Sequence, residues 1–206
     1  MPSSNNTSSK KTTEIALAII AWFAVLLQLL LLKESIFNFI SYFTILSNLL
    51  VASSLTLKVL LPQSKIGKYF ALVTVQTAIA LNIFIVGLVY NTVLRGIWDP
   101  KGWQLVADNL LHVVVPFFYV LYWIVFTEKG TLKWKDGISW TYFPFSYLIY
   151  SLVRGHFVGW YPYPFLNVAN VGYTKVFINA GFVLIAFLIC GSIFIWADRV
   201  LKSGKN

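Results

Sequence analysis

Asp108 and His112 stand four residues apart inside an apolar run, "LVADNLLHVVVP". In a helix this spacing puts both side chains on one face, one turn apart. A carboxylate placed there can hydrogen-bond one imidazole nitrogen and leave the other as a base in a fixed tautomer. Charges in hydrocarbon cost about 2.5 kcal/mol or more each, so ionisable groups within an apolar run are functional candidates by default. The plainer reading is a polar pair packed against a Ser or Asn of a neighbouring helix.

A second polar group lies in "FNFISYFTILSNLLVASSLT", residues 37–56. Thr44, Ser47 and Asn48 fall at i, i+3, i+4, and Ser41 precedes Thr44 by three, so the four share a helix face. A hydroxyl there could attack an acyl carbon if His112 takes its proton. Asn48 could fix that hydroxyl or donate to a developing oxyanion. The alternative is that these groups join helices, at about 0.6–2 kcal/mol each. Periodicity does not choose among Ser41, Thr44 and Ser47. Arg154 could hold a carboxylate through a bidentate pair, or reach to lipid headgroups. His156 and the aromatic prolines of "GHFVGWYPYPF" could form a re-entrant cap or an interfacial anchor.

The elements that must position these groups follow from composition. The chain has 206 residues, 58% of them hydrophobic and only 11% charged, with a mean hydropathy of +0.75. That excludes an ordinary water-soluble domain. Apolar runs of roughly 20 residues match the bilayer core. The expected fold is all-α: a polytopic membrane protein with six transmembrane helices and both termini cytoplasmic. The expected spans are about 15–32, 41–61, 69–93, 104–126, 138–153 and 174–200. Together they make a domain over residues 14–200, between a disordered polar tail at 1–13 and a basic tail at 201–206. Pro144 falls inside the short fifth span, and Pro116 inside the fourth.

Orientation comes from the basic residues. Lys10, Lys11, Lys58, Lys65, Lys68, Lys129, Lys133, Lys135, Arg199, Lys202 and Lys205 fall on one side, and Lys33, Arg95, Lys101, Arg154 and Lys175 on the other. Positive residues collect in the cytoplasm, which puts the termini there. Trp98, Trp103 and Trp160 then fall near the outer boundary, and Trp134 and Trp140 near the inner one. The net charge of +9 is spread over span ends, which fits topology and no nucleic-acid partner. A single cysteine, Cys190, rules out an intramolecular disulfide and a cysteine metal site. Two histidines and few carboxylates make no metal site, and no cofactor is expected.

The motifs "FISYFTILSNLLVA" and "LVADNLLHVVVPFFYVLYW", with the later "YLIYSLVRGHFVGWYPYPFLNV", resemble the androgen-induced-gene family. The likeness is to a less characterised, microbial branch and covers nearly all the spans. Characterised members are multipass threonine hydrolases of fatty acid esters of hydroxy fatty acids. The resemblance implies that Thr44 in "YFTILSN" is the nucleophile and His112 in "NLLHVVVP" the base. It, and not the spacing, selects Thr44 over the neighbouring serines.

The expected function is therefore hydrolysis of a lipid ester, with Thr44, His112 and Asp108 catalytic. Asn48, Ser47 and Arg154 are candidate substrate-binding residues. The partners expected are a lipid or fatty acid ester and the membrane lipids. Three rivals remain open: a non-enzymatic lipid-binding protein, a proton-coupled carrier with Asp108 and His112 as its relay, and a structural helper subunit with no site.

Overall fold

A computed structural model of the chain describes residues 4–97 and 99–203. Trp98, expected at an outer boundary, and the ends of the two polar tails lie outside the described residues. The described chain is all-helical, without a strand. Five stretches are long and apolar enough to cross a bilayer: Thr7–Leu30, Phe43–Leu60, Val73–Leu94, Trp103–Phe126 and Val168–Lys202. Their outer faces carry large apolar side chains such as Phe23, Phe117 and Phe182. Water would penalise that surface and hydrocarbon accepts it. These features mark an integral, multi-pass membrane protein.

The expected fifth span, 138–153, is not among the five. That region holds α8 (Asp136–Trp140) and α9 (Tyr142–Val158). The 17 residues of α9 rise about 25 Å, short of a roughly 30 Å core. Pro144 does not kink α9. It lies in the first turn, where the missing N–H has no intrahelical partner to lose. The tail expected to be disordered is also different, because α1 runs Ser4–Leu30. Adding residues to an existing helix costs little compared with nucleating one. Thr12 and Thr13 each return a hydroxyl to the carbonyl four residues back.

The chain divides into two compact units, one of residues up to 35 with 44–128, the other of 36–43 with residues from 129 onward. The first unit is built from α1, α3 (Phe43–Leu60), α5 (Val73–Val89) and a fourth helix in two α pieces, α6 (Trp103–Asn109) and α7 (Val115–Phe126). Between α3 and α5 lies the short α4, Lys65–Ala71. Ser64 caps α4 by accepting from the Gly67 N–H.

Side-chain contacts show that the four long helices alternate in direction. Glu14 in the N-terminal half of α1 meets Lys58 at the end of α3, with Nζ–Oε1 at 2.9 Å. Gln76 from the start of α5 accepts from the same Nζ at 3.1 Å. Tyr122 near the end of α7 donates to Glu14 at 2.6 Å and lies 2.7 Å from Lys58 Nζ. At the other end, Gln104 of α6 donates to Gln28 of α1 at 2.8 Å. Two indoles add interhelical bonds toward the Lys58 end: Trp22 donates to Thr56 and Trp123 to Thr77. Lys58, expected in a cytoplasmic loop, is thus a buried helical residue. Its partner lies 44 positions earlier in the chain, so no local pattern reveals the pair.

The second unit contains α2 (Ile36–Phe39), α8, α9, a 3-10 turn at Pro164–Leu166 and α10 (Val168–Ser203). The α10 helix breaks at Gly172, whose φ of 75° leaves the helical region. Phe43 packs edge-on against Tyr147 of α9, and Tyr147 donates to the Ser41 carbonyl at 2.9 Å. Asp198 accepts from the Leu132 N–H at 3.0 Å.

The Glu14–Lys58 pair gives a stability test. Lys58→Met alone strands a buried carboxylate, and losing one partner of such a pair costs about 3–5 kcal/mol. The double change Glu14→Gln with Lys58→Met should recover most of that loss. Thermal unfolding in detergent reads both. A single mutant as stable as the parent would contradict the network.

Candidate functional site

The site begins with a fault in a helix. Between α6 and α7 the backbone takes one π turn, Leu110–Val114, and His112 lies in its middle. The Val115 N–H bonds to the Leu110 carbonyl, five residues back. Pro116, the next residue, has no N–H to give. The ladder is therefore thinned around the Leu111 and His112 carbonyls, in a setting where water cannot replace the lost donors. Neighbouring helices supply them. Asn48 of α3 donates through Nδ2 to Leu111 O at 3.2 Å and to its own Thr44 O at 2.9 Å. Asn91 donates to His112 O at 3.4 Å. Both Asn48 partners are carbonyls, which only accept, so the NH2 group faces them. Gly87 permits the close approach of α5, since a Cβ there would lie 3.2 Å from both His112 O and Pro116 Cβ.

This arrangement presents His112 to Thr44. Nε2 lies 3.3 Å from Thr44 Oγ1. Nδ1 lies 2.9 Å from the Asp108 main-chain carbonyl. A carbonyl cannot donate, so Nδ1 carries the hydrogen, and in the neutral ring this leaves the Nε2 lone pair facing the threonine. The Asp108 carboxylate is the second partner of Nδ1, at 3.4 Å. Thr44 and Asp108 are buried, and 14% of the His112 side chain is exposed.

Tyr90 completes the group, and nothing in its sequence position singles it out. It opens a second π turn, Tyr90–Leu94, at the end of α5. Its ring stacks on the imidazole, with centroids 3.9 Å apart and planes 13° from parallel. Its hydroxyl donates to Asp108 Oδ2. A π turn on each helix re-aims the two aromatic rings onto one another, as such turns often do at functional sites. The only sequence signal was an aromatic residue with a hydrogen-bonding tip at the end of an apolar run.

The expected site residues separate into two sets. Thr44, Asp108, His112 and Asn48 come together within the first unit. Asn48 does not have the expected role: its amide is committed to two backbone carbonyls, so it neither holds the Thr44 hydroxyl nor is left to donate to an oxyanion. It instead joins the helix of the hydroxyl to the helix of the imidazole. Asp108 sets the tautomer mainly through its carbonyl, where the sequence suggested its carboxylate. Ser47 is buried and its hydroxyl has no protein partner, and it makes no hydrogen bond to His112. Ser41 is engaged with Phe37 O and Tyr150 OH. Arg154 belongs to the second unit and donates to Asn38 Oδ1 at 2.7 Å. His156 is exposed beside Phe157.

Comparison with family models, curated proteins and solved structures finds no match. Fold and geometry alone define the class: a helical membrane protein with a hydroxyl–imidazole pair held between two of its crossings.

The Asn48 amide orientation is testable. Asn48→Ala removes two donors and should cost about 1–3 kcal/mol. Asn48→Asp should cost more, because a carboxylate oxygen then faces two carbonyl oxygens. The midpoints of thermal unfolding rank the two. An aspartate variant as stable as the parent would mean that the amide is turned the other way.

Proposed function

We propose that the chain hydrolyses lipid esters within the bilayer, with Thr44 as nucleophile and His112 as general base. The observation that carries the reading is the Thr44 Oγ1–His112 Nε2 distance of 3.3 Å, with Nδ1 committed to the Asp108 carbonyl. The resemblance of the surrounding motifs to the androgen-induced-gene family adds the substrate class, fatty acid esters of hydroxy fatty acids or similar lipids.

In this mechanism Thr44 Oγ1 attacks the acyl carbonyl carbon while Nε2 takes its proton. The tetrahedral intermediate expels the alcohol oxygen, which receives that proton from Nε2. Water then attacks the acyl-threonine, again with His112 as base. The fatty acid leaves and the Thr44 hydroxyl is restored. Asp108 offsets the imidazolium charge formed twice in the cycle, and Tyr90 holds both Asp108 and the ring. The metal-independent chemistry needs only the hydroxyl, the base and its support.

The topology proposed with it has α9 as a sixth crossing and both termini in the cytoplasm. The excess of Lys and Arg on one side supports this. It puts Thr44, near the start of the second crossing, in the outer leaflet.

A second reading has an observation of its own. Tyr90, Asp108, His112 and Thr44 form a continuous polar chain within apolar surroundings, which also suits a proton relay in a carrier. A lipid-binding protein without turnover would use the same groups to hold a headgroup.

Turnover of a panel of lipid esters by purified protein separates these readings. Thr44→Ala and His112→Ala should each lower kcat by at least about a hundredfold, the scale of losing a nucleophile or its base. A fluorophosphonate probe should label Thr44 in the parent and not after His112→Ala. Full activity in both mutants rejects the assignment. Uptake into proteoliposomes that depends on pH, without ester cleavage, selects the carrier.

Tyr90 yields a finer expectation. Tyr90→Phe keeps the stack and loses the bond to Asp108, whereas Tyr90→Leu loses both. Steady-state kinetics should show kcat falling more in the leucine variant, with KM nearly constant in each. Equal loss in the two variants would mean that the stack contributes nothing.

A further inference from the structure

The second unit holds a charge that its own residues do not balance. Arg154 sits near the end of α9 and is half-buried. A guanidinium stays protonated at any physiological pH, so burial cannot neutralise it. Its Nη2 donates to Asn38 Oδ1 at 2.7 Å, a neutral acceptor. Its Nη1 is buried without a hydrogen-bond partner. No carboxylate forms an ion pair with it among the described residues. One face of the guanidinium lies against the Trp160 ring, 4.9 Å from the centroid.

The chain folds back to build this setting. After Gly159, which ends α9 in the left-handed conformation, Trp160 and Tyr161 return over the helix end. Tyr161 packs so closely on Gly155 that any side chain there would collide with its ring. Tyr42 meets Trp160 edge-on at 5.5 Å and Tyr163 at 5.8 Å. Arg154 thus lies against the edge of an aromatic cluster, and Trp160, the ring it touches, is itself half-buried. Such an arrangement costs free energy as it stands, because a cation with only neutral partners is poorly compensated. An unsatisfied buried donor of this sort calls for a physical reason, and a ligand that accepts from it is one.

We propose that Arg154, Asn38 and Trp160 form a binding site for the oxyanion head of an amphiphile, a carboxylate or a phosphate. A guanidinium matches either group through two parallel hydrogen bonds. The aromatic cluster takes the first methylenes of the chain, at a level where Trp and Tyr favour the membrane interface. Reaching Nη1 takes a shift of the Trp160 ring, which stands on the irregular stretch between α9 and the 3-10 turn. The site stands whether or not Thr44 is a nucleophile.

The test is equilibrium binding of tritiated oleate to the full chain in a non-ionic detergent. Methyl oleate, phosphatidylglycerol and inorganic phosphate serve as competitors. Binding should be saturable, and methyl oleate, which lacks the charge, should not compete. Competition by phosphatidylglycerol would identify a phospholipid as the better ligand. Competition by inorganic phosphate at equal concentration would overturn the amphiphile and leave only an anion site. Arg154→Gln should weaken oleate binding at least tenfold. Asn38→Asp is the decisive variant, because it brings a carboxylate to the guanidinium from within. It should keep the fold and also weaken oleate at least tenfold. Equal competition by methyl oleate, no saturable binding, or unchanged affinity in Asn38→Asp would each overturn the proposal.

Discussion

A backbone carbonyl in hydrocarbon must find a donor within the protein, and this requirement organises the site. Pro116 removes one N–H, and the π turn before it redirects another. The carbonyls of Leu111 and His112 then turn to side chains of other helices. Asn48 and Asn91 answer from α3 and from the π turn that ends α5. The exchange does more than satisfy polar groups. It ties the backbone that carries His112 to the backbone that carries Thr44, so the distance between hydroxyl and imidazole is set by main-chain contacts. A side-chain pair alone could drift by a rotamer; a pair whose two backbones share one amide cannot do so easily.

The same four helices are joined at their opposite ends by a different kind of network. Thr44 and Lys58 lie fourteen residues apart on α3, roughly 21 Å by helix rise. At the Lys58 end, Glu14, Gln76 and Tyr122 draw one side chain from each of the other helices to the ammonium group. Its charges are paired within the cluster. At the Thr44 end a carboxylate is held by a phenol and an imidazole by a carbonyl. One end therefore suits fixed geometry. The other groups the hydroxyl, imidazole and carboxylate that the proposed hydrolysis uses.

What could be read from the residues, and what could not, follows the range of the forces involved. The apolar stretches were legible because a bilayer of fixed thickness demands a helix of matching length. The fifth was not, since the 17 residues of α9 fall between a span and a buried helix. The shared face of Thr44 and Asn48 was legible from helical period, as was that of Asp108 and His112. The direction of the Asn48 amide was not, because it depends on which carbonyls the other helix frees. Lys58 looked like a loop charge because its partner, Glu14, is remote in sequence and seemed to end a polar tail. Tyr90 escaped for the same reason: stacking on His112 has no local signature. Pro116 was visible, but only the fold shows that its effect falls on the imidazole four residues earlier.

The three polar groups of Asp108 divide the work that a single carboxylate does in a soluble triad. Its carbonyl takes the Nδ1 hydrogen and so sets the tautomer. Oδ2 accepts from Tyr90. Oδ1 stands 3.4 Å from Nδ1, too long for a strong bond to a neutral ring and close enough to stabilise a charged one. In water such a division would matter little, since solvent would screen the imidazolium. In hydrocarbon it decides whether a proton can move at all, because an isolated imidazolium would be several kcal/mol too costly. In the proposed hydrolysis, moving the proton from Thr44 to His112 would turn Asp108 and a neutral ring into an ion pair of zero net charge. The negative charge would then shift to the substrate oxygen as the tetrahedral centre forms. In that reaction the net charge of the hydroxyl, imidazole and carboxylate with the substrate would stay at one negative unit throughout. The only change is where that unit resides, and Tyr90 is placed to hold the end of the array that keeps it at rest.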